Sequence, residues 1–166
     1  MLQIVNSTSW IDVTTPIGLI RVFEVNGKIS SVNIAVRRSS RKNTSHSKLL
    51  LDAKNQIEAY FLGKLKRFNL PLDLTSGTPF QQEVWQQISR IGFGKSISYA
   101  EIAKAIGRPN SARAVGGAVG ANPIPLIVGC HRVMGSSGQI TGYSGGNGIP
   151  TKKWLLKHEN IQASDS

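Results

Sequence analysis

The chain of 166 residues is long enough for one domain or for two small ones that share a core. Twenty Lys and Arg against nine Asp and Glu give a net charge of +11. This charge favours a polyanionic partner such as nucleic acid, although a basic surface kept for solubility explains it equally well. No apolar run could span a bilayer, the start Met1–Asn6 lacks a secretory signal, and one cysteine excludes an internal disulfide. We therefore expect no membrane association and a reducing compartment, which is the cytoplasm, or the nucleus if the source is a eukaryote.

The first third of the chain is predicted to form a small sheet. Residues with β-branched side chains are frequent at Trp10–Thr14, Gly18–Val25 and Lys28–Val36, which indicates three strands. The pair Asn26-Gly27 is a typical hairpin turn between the second and third strands. For the polar, basic stretch 37–48 we predict a solvated loop, with an arm that contacts DNA phosphates as the alternative.

A helix is predicted at Leu49–Leu62, where apolar residues recur at helical spacing and Gly63 offers a C-cap. Residues 70–77 have the composition of an extended linker. We therefore expect two domains, an N-terminal α/β domain at residues 1–75 and a C-terminal domain at residues 76–166.

Three helices of the C-terminal domain are predicted from their starting signals. Thr78–Gln81 combines an N-cap, proline at the first helical position and a capping-box glutamine. The capping box Ser98–Glu101 begins the second helix, which is predicted to end at Gly107. The third helix is predicted to begin after Ser111 as its N-cap and to run to about Ala121.

The second and third helices, with the turn 107–110, have the length of a helix-turn-helix. The third helix contains three glycines that each cost roughly 0.5–1 kcal/mol relative to alanine: Gly116, Gly117 and Gly120. We therefore expect another helix or a DNA strand to approach its backbone. The inward face is predicted to consist of Ala114, Val115 and Ala118. Arg113 lies off that face, either as an ordinary surface arginine or as a side chain that reaches into a DNA groove.

Cys130 is the candidate nucleophile. The apolar stretch Pro125–Val128 is predicted to bring it up from a buried, strand-like segment. A lone cysteine is commonly an inert core residue, and an ordinary thiol, with pKa about 8.5, needs a base at pH 7. His131 is the candidate base, and Glu159, which follows a helix predicted at Pro150–His158, is a candidate for orienting it. The last histidine of that helix is a rival base. No second cysteine or spaced histidine cluster supports a metal site.

Seven segments together resemble the O6-alkylguanine-DNA alkyltransferase family (methylated-DNA–protein-cysteine methyltransferases). They span residues 78 to 159 in the order and spacing of that family: Thr78–Trp85, Ser98–Ala103, Ala112–Gly116, Ala121–Pro125, Cys130–Val133, Thr141–Gly146 and Leu155–Glu159. The resemblance implies an α/β N-terminal domain with a small antiparallel, ribonuclease-H-like sheet. It also implies a mainly helical C-terminal domain that contains the helix-turn-helix.

The resemblance implies direct-reversal DNA repair. A monomer would bind double-stranded DNA through the minor groove and flip O6-alkylguanine into a pocket, while Arg113 replaces the base in the stack. The alkyl group would pass irreversibly to Cys130 in a single turnover, with O4-alkylthymine as a further substrate. No cofactor or metal is needed. Clustering of monomers along DNA is left open.

The same resemblance implies roles for individual residues. His131 would act as base through a water, Glu159 would orient it, and Tyr99 would donate to the guanine leaving group. The carbonyls of Cys130 and Val133 would accept from the guanine amino group. The implied substrate-binding residues are Arg113, Asn122, Val133, Ser144, Tyr143 and Pro125, with Asn122 holding a turn and the last two lining the pocket. The implied DNA contacts are Ser111, Ala112, Arg113, Ala114, Gly116 and Gly117.

The sequence departs from the family at two places. Gly129 stands where the family has proline. Glycine leaves the loop looser than proline by about 0.4–1 kcal/mol, so we expect slower transfer or lower stability. Asn147–Pro150 replaces a leucine-containing segment that borders the pocket in the family, so we expect an altered substrate range.

Three other functions are compatible with parts of the sequence. A non-enzymatic relative that only recognises alkylated guanine lacks the cysteine that is present here. A helix-turn-helix transcription regulator would carry long polar side chains where the third helix has alanine and glycine. A cysteine hydrolase would show continuing turnover instead of a single stoichiometric modification.

Overall fold

The structure, a computed structural model, describes residues 8–41 and 46–164. The prediction about Met1–Asn6 and the middle of the loop predicted at 37–48 lie outside the described residues. Within the described ranges, no helix is long and apolar enough to cross a bilayer. In chain order the strands are β1 (Ser9–Thr15), β2 (Gly18–Val25), β3 (Lys28–Asn33), β4 (Ile97–Ser98) and β5 (Val133–Met134). The helices are α1 (Lys48–Phe61), α2 (Pro79–Ser89), α3 (Tyr99–Ala105), α4 (Ala112–Gly120) and α5 (Ile149–His158), with a 3-10 turn at Cys130–Arg132.

The first three strands form an antiparallel sheet in the order β1-β2-β3. Asn26 and Gly27 both have positive φ, 51° and 76°, as a tight hairpin turn between twisted strands requires. The third strand ends at Asn33, so its predicted extension to Val36 was wrong. Ala35 has φ 59°, in the left-handed region, which interrupts the extended backbone.

Helix α1 packs against β1 and β2 and buries one apolar stripe: Leu50, Ala53, Ile57 and Tyr60. The helix begins where the side chain of Ser47 accepts a hydrogen bond from the backbone N–H of Leu50. Ser47 also donates to the carboxylate of Glu24 on β2, which ties the start of the helix to the sheet. The stripe ends with Tyr60, which faces the second half of the chain.

The capping signals of α2 and α3 form as predicted. Thr78 with Gln81, and Ser98 with Glu101, each make the reciprocal bonds of a capping box. Ser111 occupies the N-cap position of α4 but makes no side-chain cap hydrogen bond, so its predicted capping role was wrong. Its ψ of 24° is far from the extended value of 162° at Thr78, and so its backbone does not have the geometry that a capping side chain needs.

The inner face of α4 differs from the prediction by one residue. Val115, Ala118 and Val119 are buried, whereas Ala114 is exposed. The indole N–H of Trp85, on α2, donates to the Ala118 carbonyl at 2.8 Å. This bond and the buried face fix α4 against α2, and the opposite face of α4 is left open to solvent.

The predicted strand-like segment Pro125–Val128 is a tight turn. Leu126 has φ 74°, and the N–H of Val128 donates to the carbonyl of Ile124 at 2.9 Å. The segment is buried, but periodicity alone does not distinguish a buried turn from a buried strand. Downstream, β5 pairs in parallel with β4, which brings the Cys130–Arg132 turn next to the start of α3.

Both halves of the chain share one hydrophobic cluster. A backbone hydrogen bond also joins them: the N–H of Val32 on β3 donates to the Pro123 carbonyl at 2.9 Å. The N-terminal sheet therefore lies against the turn that precedes Cys130.

Candidate active site around Cys130

Cys130 is the first residue of the 3-10 turn and is only 2% exposed. Its backbone N–H donates to the Val128 carbonyl at 2.7 Å, which fixes the turn. The side chain borders a pocket of about 360 Å³, within the size range of small-molecule sites. The pocket is lined by Tyr99, Gly116, Val119, Gly120, Cys130, Thr141, Gly142, Tyr143 and Ser144.

The environment of the thiol keeps it protonated at rest. Burial, the largest effect, raises the pKa of the Cys130 thiol above its ordinary value. Side-chain interactions with Asn122 and Tyr143 and the positive charge of Lys152 act in the opposite direction. A nucleophilic thiolate therefore has to be generated by a base.

Asn122 holds the turn that leads to the thiol. Its amide nitrogen donates to the Val128 carbonyl at 2.9 Å, and its amide oxygen accepts from the N–H of Ile124 at 2.9 Å. One side chain thus connects both ends of the buried turn.

His131 is completely buried, and its Nε2 lies 2.5 Å from Oε2 of Glu159. An ionised carboxylate only accepts hydrogen bonds, so Nε2 carries the hydrogen and Nδ1 has a free lone pair. Nδ1 is buried and has no hydrogen-bond partner among the described residues. Burial lowers the pKa of His131, the charges of Arg132 and Lys152 lower it further, and Glu159 opposes them. The imidazole is therefore neutral at pH 7 and able to accept a proton.

Glu159, at the C-cap of α5, is the centre of a buried polar cluster. Besides His131, it accepts from the hydroxyl of Tyr60 at 2.6 Å, from Nε of Arg132 at 2.8 Å and from the N–H of Gly94 at 3.1 Å. Burial alone would raise the pKa of this carboxyl, but the interactions with His131, Arg132 and Tyr60 outweigh it and hold the pKa well below its ordinary value. Glu159 is thus a fixed anion. The sequence named it only as a candidate for orienting His131 and did not show its other partners.

Sequence reasoning missed Lys152, whose ammonium group is buried beside the site. Its Nζ donates to the Val133 carbonyl at 2.6 Å and to the Gly142 carbonyl at 3.1 Å. Burial lowers its pKa, and the Cys130 thiolate acts in the opposite direction. The sequence did contain a signal for its burial, because Lys152 lies on the same face of α5 as the buried residues Leu155 and Leu156. The Val133 carbonyl, expected to accept from guanine, already accepts from Lys152.

Two walls of the pocket are tied together by hydroxyl groups. Thr141 donates to the hydroxyl oxygen of Tyr99 at 3.1 Å, and Ser144 donates to the Gly120 carbonyl at 3.0 Å. The hydroxyl of Tyr143 is buried, and its pKa lies well above the ordinary value because of burial and the neighbouring Cys130. Pro125 is buried in the preceding turn and does not line this pocket.

The residues expected to contact DNA lie on the open side of α4. Arg113, Ala114 and Gly117 are exposed, and Ser111, Ala112 and Gly116 are half-buried. A Cβ added at Gly117 or Gly120 would meet nothing within 4 Å, and one at Gly116 would meet the Tyr99 ring at 3.8 Å. No helix of the described chain therefore packs on Gly117 or Gly120. A cavity of about 440 Å³ beside Arg113 shares Tyr99, Gly116 and Thr141 with the Cys130 pocket.

The two departures from the family lie in different places. Gly129 has φ −72°, which proline can adopt, and a Cβ there would lie 2.9 Å from Nη1 of Arg132. Asn147 and Pro150 border a separate surface cavity together with Pro16 and other residues, and neither lines the Cys130 pocket. The expected border between this loop and the pocket is therefore not formed.

The rival base, His158, is turned away from the thiol. Its Nε2 lies 2.8 Å from the Tyr60 carbonyl, and its ring stacks on Trp154. Within residues 8–41 and 46–164, no group of three or more His, Cys, Asp or Glu side chains could hold a metal ion.

Family models match both halves of the chain. The model described as "6-O-methylguanine DNA methyltransferase, DNA binding domain" matches residues 79–161. The model described as "6-O-methylguanine DNA methyltransferase, ribonuclease-like domain" matches residues 13–74. The resemblance seen in the C-terminal half thus extends to the N-terminal half, whose motifs had not been specific.

Similar proteins and structures carry related names. The constitutive methylated-DNA–protein-cysteine methyltransferase of Bacillus subtilis is 41% identical over 154 residues, which cover 89% of this chain and 92% of that protein. The crystal structure of the Mycobacterium tuberculosis O6-methylguanine methyltransferase has a TM-score of 0.80 and 38% identity, over 96% of this chain and 97% of that one. The structure of Mycobacterium tuberculosis OGT in complex with DNA has a TM-score of 0.79 and 40% identity, over 91% and 92%.

Proposed function

The chain belongs to the 6-O-methylguanine DNA methyltransferase family, and we propose that it repairs DNA by moving the alkyl group of O6-alkylguanine onto Cys130. One observation carries this proposal. The only cysteine of the chain borders a pocket and precedes a buried, neutral histidine whose other nitrogen is held by a carboxylate. Such an arrangement activates a thiol that is otherwise inert.

Double-stranded DNA reaches the pocket over α4 in this proposal. Helices α3 and α4 act as a helix-turn-helix, and the exposed glycine face of α4 lies in the minor groove. Arg113 enters the base stack in place of the flipped guanine. The net charge of +11, the open space at Gly117 and Gly120, and the DNA complex of the similar Mycobacterium tuberculosis protein support this mode.

The transfer is a nucleophilic displacement at the alkyl carbon. The thiol proton of Cys130 passes, through a water, to Nδ1 of His131, and the sulfur attacks the carbon that is bound to O6. A carbon–sulfur bond forms as the carbon–oxygen bond breaks, and its electron pair goes to the guanine. Tyr99 gives its hydroxyl proton to the leaving base, which returns to the stack as guanine, and the proton taken up by His131 passes back through water to restore the tyrosine. The hydrogen bond from Thr141 leaves the Tyr99 hydrogen free to point into the pocket.

The alkylated protein cannot react a second time. The alkyl–sulfur bond of the thioether does not break readily, because a thiolate is a poor leaving group from carbon, and the site has no second thiol to receive the alkyl group. Each chain therefore acts once. The protein acts as a monomer, and O4-alkylthymine is a further substrate because it presents the same alkyl–oxygen bond.

We assign residues 1–75 and 76–166 to the two domains, supported by the family matches to residues 13–74 and 79–161. The cytoplasm, where thiols stay reduced, suits a protein that needs its free cysteine.

A stoichiometric time course tests this function. The protein is mixed with a fivefold excess of duplex DNA that contains O6-methylguanine, and repaired guanine is counted with time. We expect a plateau at one repaired guanine per active chain and none with Cys130→Ala. Repair that continues beyond one per chain would exclude the single-turnover mechanism. Tight binding to the lesion without repair would identify a damage-recognition protein.

A further inference from the structure

One donor to Glu159 comes from the N-terminal half of the chain. Tyr60, in the last turn of α1, is completely buried and donates its hydroxyl hydrogen to Oε2 of Glu159 at 2.6 Å. The two residues are 99 positions apart in the sequence. This bond is a direct polar link from the ribonuclease-like half to the group that holds the base.

The bond is made to the same oxygen that holds the histidine. Oε2 of Glu159 accepts from Tyr60, from Nε2 of His131 at 2.5 Å and from Nη2 of Arg132 at 3.2 Å. The directions of these three donors together restrict where the oxygen can lie. Because Oε2 of Glu159 accepts the hydrogen bond from the imidazole N–H, restricting the position of this oxygen also fixes the plane and tilt of the His131 ring.

A structural role alone would not require a hydroxyl at this position. The Tyr60 ring packs among aromatic rings, with Phe61, Phe68 and Phe93 at centroid distances of 5.1, 5.4 and 6.0 Å. A phenylalanine would fill the same space, whereas a buried hydroxyl is costly unless it is hydrogen-bonded. Burial, followed by the charge of Glu159, raises the pKa of Tyr60 far above its ordinary value, so the hydroxyl remains a donor throughout the working pH range.

We propose that Tyr60 is a positioning residue for alkyl transfer, and that it acts through Glu159 on His131. By holding Oε2, it aims Nδ1 of His131 toward the thiol proton. The inference rests on the proposed function, because the base matters only if Cys130 is the nucleophile. It assigns to the N-terminal domain a part in the reaction although that domain does not line the Cys130 pocket.

The proposal has an electrostatic consequence with a definite sign. The Tyr60 hydrogen bond takes up part of the negative charge on Oε2. Without it, more of that charge stabilises protonated His131, so the pKa of His131 rises. The other groups facing the pair are the Arg132 guanidinium, the Lys152 ammonium, the Cys130 thiol and the N–H of Gly94, together with the His158 ring against Tyr60. None of these changes in a Tyr60→Phe variant.

The test is the rate of methyl transfer from O6-methylguanine duplex DNA as a function of pH. For Tyr60→Phe we expect a plateau rate about tenfold lower, the effect of one lost hydrogen bond to a charged group. We also expect the acid limb of the profile to move to higher pH. The matched control is Phe68→Leu, which removes packing from the same ring but no hydrogen bond. It should lower the melting temperature and leave the acid limb in place.

Two further measurements separate positioning from general destabilisation. In a His131→Gln background, adding Tyr60→Phe should cause no further loss of rate. With 3-fluorotyrosine at position 60, which keeps the shape and donates more strongly, the acid limb should move to lower pH. This substitution tests the link even if Tyr60→Phe folds poorly.

The outcomes distinguish this inference from the proposed function. If the wild-type protein takes up no methyl group, the proposed function is wrong. If the wild-type protein reacts but neither substitution at Tyr60 moves the acid limb, Tyr60 has no positioning role. Equal rate losses from Tyr60→Phe with and without His131 would also overturn the inference.

Discussion

Gly117 allows protein stability and DNA binding to be separated by one substitution. It lies on the exposed side of α4, where an added Cβ would meet nothing within 4 Å. Its φ is not in the left-handed region, so alanine fits the backbone without strain. Replacing glycine by alanine in an exposed helix interior is worth roughly 0.8–1 kcal/mol, or about 2–4 °C in melting temperature for a chain of this size.

The same methyl group lies where we propose that the DNA backbone approaches. Inserting a methyl or larger group into a close contact typically costs about 1–3 kcal/mol. We therefore expect Gly117→Ala to weaken duplex binding by about 5-fold to 150-fold, and Gly117→Leu to weaken it more, while both variants melt at higher temperature than the wild type.

The assay is fluorescence anisotropy with a labelled duplex, together with thermal melting followed by circular dichroism. Gln86→Ala, an exposed helical substitution on α2, is the control and should leave duplex binding unchanged. A Gly117→Leu protein that is more stable and binds duplex DNA as tightly as the wild type would refute the close approach. A loss of stability in Gly117→Ala would show that the space around the Gly117 backbone is too small for a methyl group.

Three further substitutions follow from the site. Arg113→Ala should slow repair of duplex DNA far more than reaction with free O6-benzylguanine, and equal losses on both would contradict base replacement. Gly129→Pro fits φ −72°, but its Cβ would lie 2.9 Å from Nη1 of Arg132, so the guanidinium has to shift. We therefore expect a gain in the free energy of unfolding below the roughly 0.4–1 kcal/mol of an unobstructed site, together with faster transfer; unchanged melting temperature and rate would contradict this. Lys152→Met should raise the thiol pKa of Cys130, since a neighbouring positive charge is lost. The pH dependence of iodoacetamide alkylation measures it, and an unmoved curve would exclude the electrostatic role.

Local sequence signals were sufficient where the structure depends on neighbouring residues. The capping boxes at Thr78 and Ser98 and the Asn26-Gly27 hairpin form because their hydrogen bonds and backbone angles involve a few adjacent positions. Ser111 shows the limit of such signals, since its backbone has a ψ that prevents capping. The apolar run before Cys130 was correctly expected to be buried but is a turn, because Asn122 bonds to both of its ends.

The candidate site was predictable as a set of residue types but not as a network. The order of Cys130, His131 and Glu159 matched a known family, and the structure brings the histidine and carboxylate into contact. Tyr60 and Lys152 could not be found in this way, because their partners are set by the packing of α1 and α5 against the rest of the fold. A buried lysine and a buried tyrosine resemble ordinary core-edge residues until the atoms that they contact are known.

The most direct test of the account is the intact mass of the protein after reaction with duplex DNA that contains O6-methylguanine. We predict a gain of one methyl group, in place of one hydrogen, per chain. Peptide mapping should assign it to Cys130, and Cys130→Ala should gain nothing. An unchanged mass despite complete mixing with the lesion, or a methyl group on any other residue, would contradict the central claim that Cys130 receives the alkyl group.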